Sequence, residues 1–196
     1  MKNLKRNFQT IIISLIIVFL ATNPVKAVST VKGGFDYGDF TTNGSSYKVD
    51  SGLFIAGELT APLNDSLDIG AGVEYQFPRS EEQFNGEMNF IPIYVVLKLL
   101  SSHYRDQESF LIGRIGYNQF QADNSAGITN LKGGLYYALG ISGVFSKGLI
   151  VEALVSYHNA SFTWDSQNRE TSYLKFSLSF GYTSRHRKVK SPVINL

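Results

Sequence analysis

Residues 172–183 read SYLKFSLSFGYT. Leu174, Phe176, Leu178, Phe180 and Tyr182 share one parity; Tyr173, Lys175, Ser177, Ser179, Gly181 and Thr183 share the other. A β-strand sends successive side chains to opposite faces, so this stretch has one greasy face and one small, polar face. Helical spacing of about 3.6 residues would mix the two sets. Working outward, the same alternation recurs in seven earlier stretches: 31–38, 47–60, 67–77, 90–100, 109–121, 133–145 and 149–164. The stretch at 67–77 is nearly ideal, with Leu67, Ile69, Ala71, Val73, Tyr75 and Phe77 opposing Asp68, Gly70, Gly72, Glu74 and Gln76. In 47–60 the apolar parity is read as Tyr47, Val49, Ser51, Leu53, Ile55, Gly57 and Leu59. Pro92 interrupts the fourth stretch and predicts an edge or a bulge there.

Eight sequential strands with short links predict an antiparallel up-and-down meander. Eight can close into a small barrel, which removes unpaired edges. Each strand is long enough to cross a bilayer at a tilt, which takes about 9–11 residues. Alternation alone does not say which face is outside, because a soluble lipocalin-like carrier has the same period with the greasy face inward. Three features favour the transmembrane arrangement. The apolar parity carries too many bulky side chains for the narrow interior of an eight-stranded barrel. The opposite parity holds Gly34, Gly52, Gly70, Gly72, Gly116, Gly140, Ser142, Ser177 and Gly181, which suit a crowded interior. The links also differ in length. Those at 61–66 and 146–148 are short, whereas 39–46, 78–89, 122–132 and 165–171 read as four longer polar loops. The polar link at 101–108 is longer than that rule expects. Tyr47, Tyr75, Phe77, Tyr117, Tyr137 and Tyr157 toward one rim, and Phe145 and Tyr182 toward the other, are candidate interfacial girdles.

The chain divides into three parts. Residues 1–27 carry Lys2, Lys5, Arg6 and Lys26, no acid, and the apolar run IIISLIIVFLA at 11–21. That run is short for a membrane helix, and Val25-Lys26-Ala27 places small residues where a signal peptidase reads, so cleavage of an export signal after Ala27 is expected. Residues 28–184 form the barrel domain, with ten basic and sixteen acidic side chains, a net of −6. That sign gives no reason to expect nucleic-acid binding. Residues 185–196 form a basic tail, RHRKVK at 185–190, expected in the periplasm. The chain has no cysteine, which excludes disulfides and thiolate metal sites. His103 and His186 sit in polar segments and suggest no metal centre; no cofactor is expected.

With this strand count, FLIGRIGYN at 110–118, GLYYALGISGVF at 134–145 and the final alternating strand, the chain resembles the OmpA/OmpX-type family of small outer-membrane barrels over about residues 31–183. The resemblance implies an eight-stranded transmembrane barrel in the outer membrane of a Gram-negative cell, in contact with lipid and lipopolysaccharide and delivered by the barrel-assembly machinery. Members of the family end the final strand on an aromatic residue; here Phe180 and Tyr182 alternate, and the basic tail follows.

The inward parity carries Asp36, Asp50, Glu58, Asp68, Glu74 and Glu152 against Lys32, Lys48, Lys98, Arg114 and Lys175. Charges in a narrow interior must be paired or hydrated. Arg114 and Lys98 are expected to pair with Glu58, Glu74 and Glu152 in a salt-bridge network. Two readings of that network follow: a plug that closes the barrel, or a gate in a narrow ion-conducting pore. A third reading starts from YHNAS at 157–161, which resembles the His/Ser motif of lipid A deacylases. His158 and Ser161 have opposite parity, however, and Ser156 would have to substitute. The expected function is therefore non-enzymatic: a monomeric barrel that spans the outer membrane and presents four loops to an extracellular ligand. The porin, the lipid A-modifying enzyme and the soluble carrier are its alternatives.

Overall fold

A computed structural model describes residues 27–42, 45–81, 86–104, 107–122, 129–164 and 167–184. The stretch expected to be an export signal, residues 1–27, lies outside them except for Ala27, and so does the basic tail from residue 185. The strands are β1 (Val28–Thr42), β2 (Ser45–Pro62), β3 (Leu67–Gln76), β4 (Arg79–Glu81), β5 (Gly86–Tyr104), β6 (Gln107–Ala122), β7 (Thr129–Val144), β8 (Leu149–Trp164) and β9 (Gln167–Thr183). Neighbours in sequence pair antiparallel. β9 returns to β1 with Thr30 opposite Thr183 and Thr42 opposite Thr171. The sheet thus closes into a ring of eight wall strands, with the three-residue β4 paired to β5 beyond the end of β3. Closure leaves the strands no free lateral edge through the middle of the wall.

Period two decides the faces. Along β9, Tyr173, Lys175, Ser177, Ser179 and Thr183 are buried, while Leu174, Phe176, Phe180 and Tyr182 are exposed. The exposed set continues around the ring through Val31 and Phe35, Leu53 and Ile55, Val73, Ile93 and Leu97, Leu111 and Ile115, Leu139 and Ile141, and Val155. Leu139 is 69% exposed. The greasy faces therefore point away from the interior on every wall strand. At the rims, Tyr75, Phe77, Tyr137, Phe145 and Tyr182 are exposed, and Tyr137 stacks on Tyr157 with ring centres 5.0 Å apart.

The end at which the described residues begin, at Ala27, and finish, at Ser184, has two tight turns. Asn64 Oδ1 accepts from the backbone N–H groups of Ser66 and Leu67 at 2.8 Å each, an Asx turn between β2 and β3. Between β7 and β8, Lys147 and Gly148 both take positive φ, 65° and 81°, the twist a tight hairpin requires. We call this the turn end and the opposite one the wide end.

The structure corrects four expectations. In the stretches read as four long loops, nearly all of the described residues are strand. β1 runs to Thr42 with β2 starting at Ser45, and β8 runs to Trp164 with β9 starting at Gln167. Polar residues there extend the ladder (Phe162 opposite Arg169, for example) because backbone pairing needs no apolar alternation once it has a neighbour. The link at 101–108 is likewise an extended hairpin, with His103 opposite Glu108. Third, the β1–β2 register shifts between Asp36 and Gly38. A one-residue shift reverses every side chain beyond it, and Val49, read as outward, is buried. Fourth, of the edge or bulge expected at Pro92 the edge is absent, because β5 has a partner strand on each side, but the irregularity is there: the β3–β5 ladder stops at Val73 opposite Ile93, next to Pro92, and pairing resumes one residue out of step at Arg79 opposite Met88. The side chains of Tyr47, Lys48 and Asp50 lie outside the described ones.

Candidate functional site

The inward parity is not uniformly small. From turn end to wide end, β6 sends Phe110, Ile112, Arg114, Asn118 and Phe120 inward, and β8 sends Ile150, Glu152, Leu154, Ser156, His158, Ala160 and Phe162. One apolar cluster holds Tyr94, Val96, Phe110, Ile112, Tyr136, Val144, Ile150 and Leu154. A second, toward the wide end, holds Phe40, Val49, Met88, Phe90, Phe120, Phe162 and Tyr173. Glycines on the same parity make room for these rings. A Cβ on Gly72, for instance, would overlap Tyr94 and Glu58.

Buried charge runs among these clusters as a continuous chain of alternating sign. Lys98 Nζ lies 2.7 Å from Glu58 Oε2. Glu58 Oε1 accepts from Lys32 Nζ at 2.8 Å, from Arg114 Nη2 at 2.6 Å and from the Tyr94 hydroxyl at 3.1 Å. Lys32 and Arg114 both continue to Glu152; Lys32 Nζ lies 2.8 Å from each of its carboxylate oxygens. Arg114 Nη1 lies 3.9 Å from Glu74, whose other oxygen accepts from Lys175 at 2.5 Å. Lys175 then reaches Asp36 at 3.2 Å, and Asp36 meets Arg79 Nη2 at 2.5 Å. The Arg114 guanidinium also lies 4.7 Å from the centre of the Tyr94 ring.

All five residues named from the sequence, Glu58, Glu74, Lys98, Arg114 and Glu152, are in this chain. The structure adds Lys32, Asp36 and Lys175, which shared the inward parity, and Arg79, which was assigned to a loop. Parity could not have found Arg79: counting on from Tyr75 and Phe77 places it outside. The strand break at Phe77 and Pro78 re-aims it, and it is buried.

Such a cluster fixes side chains more than it adds net stability. Desolvating each ion costs several kcal/mol, and pairing roughly repays this; removing one partner leaves the other charge stranded. Two small spaces lie among the described side chains. The space lined by Gln76, Arg79, Met88, Phe90 and Tyr173 measures about 10 Å³, and that lined by Asp68, Lys98, Phe110 and Ile150 also about 10 Å³, each close to the volume one water needs.

Ser156 Oγ lies 3.2 Å from His158 Nε2, and His158 Nδ1 lies 3.4 Å from Asn118 Oδ1. A nucleophile, a base and an orienting group are thus in sequence. Yet Ser156, His158 and Asn118 are buried, and the rings of Phe90, Tyr136 and Tyr173 lie 4.9–5.8 Å from the imidazole. Ser161, three positions on from His158 and on the opposite parity, is not part of this arrangement. Among the described residues no group of three His, Asp or Glu side chains could hold a metal ion.

No family model matches the chain, and no curated protein matches it in sequence. Among solved structures it is similar to Ail, the attachment invasion locus protein of Yersinia pestis, at 15% identity over 80% of this chain and 98% of Ail, with a TM-score of 0.48. It is similar to Neisserial surface protein A at 10% identity, over 79% of this chain and 97% of that one, with a TM-score of 0.47. For the outer membrane protein AlkL, solved in lipid bilayers, the figures are 8% identity, 83% and 93% coverage, and a TM-score of 0.42. The fold described above stands on the strand pairing itself.

Proposed function

We propose that this chain is an exported outer-membrane barrel with a closed, non-conducting interior, whose work is done at its surface rather than through its lumen. One observation carries this reading. A complete belt of exposed Leu, Ile, Val, Phe and Tyr surrounds a ring whose inside is filled by paired charges and aromatic side chains. In water such a belt would be a contiguous apolar patch far beyond the few hundred Å² that soluble monomers expose. In lipid it is the expected skin, edged by aromatics at the headgroups.

In this reading residues 1–27 are the removed export signal. Barrel-assembly machinery inserts residues 28–184 as a monomer, and lipid and lipopolysaccharide surround it. The basic tail at 185–196 lies in the periplasm. The wide end faces outward, and its strand-borne rim, more than long loops, offers the surface for an extracellular ligand. The burial of Ser156 and His158 supports a non-enzymatic role, because a lipid substrate outside the wall has no approach to them.

The test is fractionation together with gel migration and planar-bilayer recording. The chain should sediment with outer membranes, migrate differently before and after boiling, and give no discrete conductance. Recovery in the soluble periplasm would overturn the membrane reading. Discrete single-channel steps would overturn the closed interior and favour a pore gated by the Glu58–Arg114 network.

A further inference from the structure

Backbone pairing does not hold the whole wall together at the wide end. The β2–β3 ladder ends with Phe54 opposite Gln76, followed by a single hydrogen bond from Phe77 N–H to Leu53 O. Beyond it, among the described residues, β4 pairs with β5 and has no ladder to β2. On the other side the β6–β7 ladder ends with Asn118 opposite Gly134. The last residues of β6, Gln119 to Ala122, pair with β5 alone. β4, the start of β5 and the end of β6 therefore form a three-stranded piece with a seam along each side.

Where this piece joins the barrel, one of its three strands is broken and a second loses a ladder partner, while β5 and β6 run on paired to each other. Phe77 and Pro78 separate β3 from β4, and Pro92 sits where the β3–β5 ladder stops. The β4–β5 ladder resumes with Arg79 opposite Met88, one residue out of step with the ladder below. Proline supplies no N–H to a ladder, so these are the points at which pairing resists bending least.

Across the seams the piece is held by side chains. Arg79 Nη2 meets Asp36 at 2.5 Å, and Arg79 Nη1 donates to the Tyr173 hydroxyl at 2.7 Å. Phe90 stacks on Tyr173 and Phe120 packs near Phe162, with ring centres 5.7 and 6.0 Å apart. To reach Asp36 the guanidinium lies directly over Gly52 of β2, where any Cβ would overlap it.

We propose that this three-stranded piece is a hinged flap over the wide end, latched shut by Arg79 on Asp36 and Tyr173, with Gly52 as the seat of the latch. Opening it uncovers the apolar faces of Met88, Phe90, Phe40 and Val49. The proposal goes beyond the surface role above and holds whether or not the barrel proves to conduct.

The chain has no cysteine, so single thiols report cleanly. Met88→Cys places one on the inner face of the flap, and Ala138→Cys places one on the fully paired wall; both positions are buried. With the full chain folded in detergent micelles, a water-soluble maleimide should label both slowly. Adding Arg79→Ala should speed labelling at Met88→Cys at least tenfold and leave Ala138→Cys unchanged. Gly52→Ala, which unseats the guanidinium without removing it, should do the same, and combining it with Arg79→Ala should add nothing further. Unchanged labelling at position 88 in both variants would overturn the flap, and so would a parallel rise at position 138. Additive effects of the two substitutions would overturn the latch.

Discussion

Arg114 on β6 and Glu58 on β2 stand 56 positions apart and meet inside the barrel, with Nη2 donating to Oε1 at 2.6 Å and both side chains fully buried. The same carboxylate takes Lys32 and Lys98. Glu58 is thus shared by three cations, and its loss should be felt more than that of any single partner.

Glu58→Ala removes the carboxylate that Lys32, Lys98 and Arg114 share and leaves Glu152 to hold Lys32 and Arg114, and unfolding in urea should show a loss of about 3–5 kcal/mol. Arg114→Ala should cost somewhat less, because Lys32 still bridges Glu58 and Glu152. A loss below about 1 kcal/mol in both would mean that water reaches the cluster.

Arg114→Ala also separates a plug from a gate. The apolar clusters on either side of the charges remain in that variant, so planar bilayers should stay silent. Discrete current steps appearing on this substitution would identify the network as a gate.

Leu139 is 69% exposed near the middle of the β7 belt. In a lipid-embedded barrel Leu139→Arg should cost about 2–4 kcal/mol in folding measured in vesicles. On a water-facing wall a substitution at so exposed a position would stay within about 0.5 kcal/mol, and that result would mean a soluble barrel.

Val49 tests the register shift between Asp36 and Gly38. Because the shift turns it inward, Val49→Asp buries a charge without a designed partner and should cost more than about 2 kcal/mol. A neutral outcome would place Val49 on the outer face, as uninterrupted alternation predicts.

The Ser156–His158 pair has the spacing of a nucleophile and base but no approach from outside. Expression of the chain should leave the mass of lipid A unchanged, and Ser156→Ala should behave identically to the parent. A mass shift with the parent that disappears in Ser156→Ala or His158→Ala would establish an enzyme.

Much of the site was legible wherever parity held. Glu58, Glu74, Lys98, Arg114 and Glu152 follow from counting along unbroken strands, because period two is a local property of extended backbone. Arg79 and Val49 were misread for one reason: each lies beyond an irregularity, the break at Phe77 and Pro78 or the shift opposite Asp36 and Gly38. An inserted residue leaves no mark in a string of side chains, yet it inverts everything after it. The wide-end hairpins were taken for loops because polar residues there do not alternate, although β1 with β2, β4 with β5 and β8 with β9 pair there along their described residues.

The sequence by itself determined that the chain is all-β, that it has eight wall strands, and that one parity is greasy and the other carries the charges. Those follow from side-chain order within single strands. The tertiary structure alone decided that Lys32 and Arg114 share Glu58 and Glu152, that rings from several strands fill the interior, and that two seams interrupt the wall. These depend on ring closure and inter-strand register, which bring together side chains far apart in the chain and are set by backbone pairing that no local pattern records.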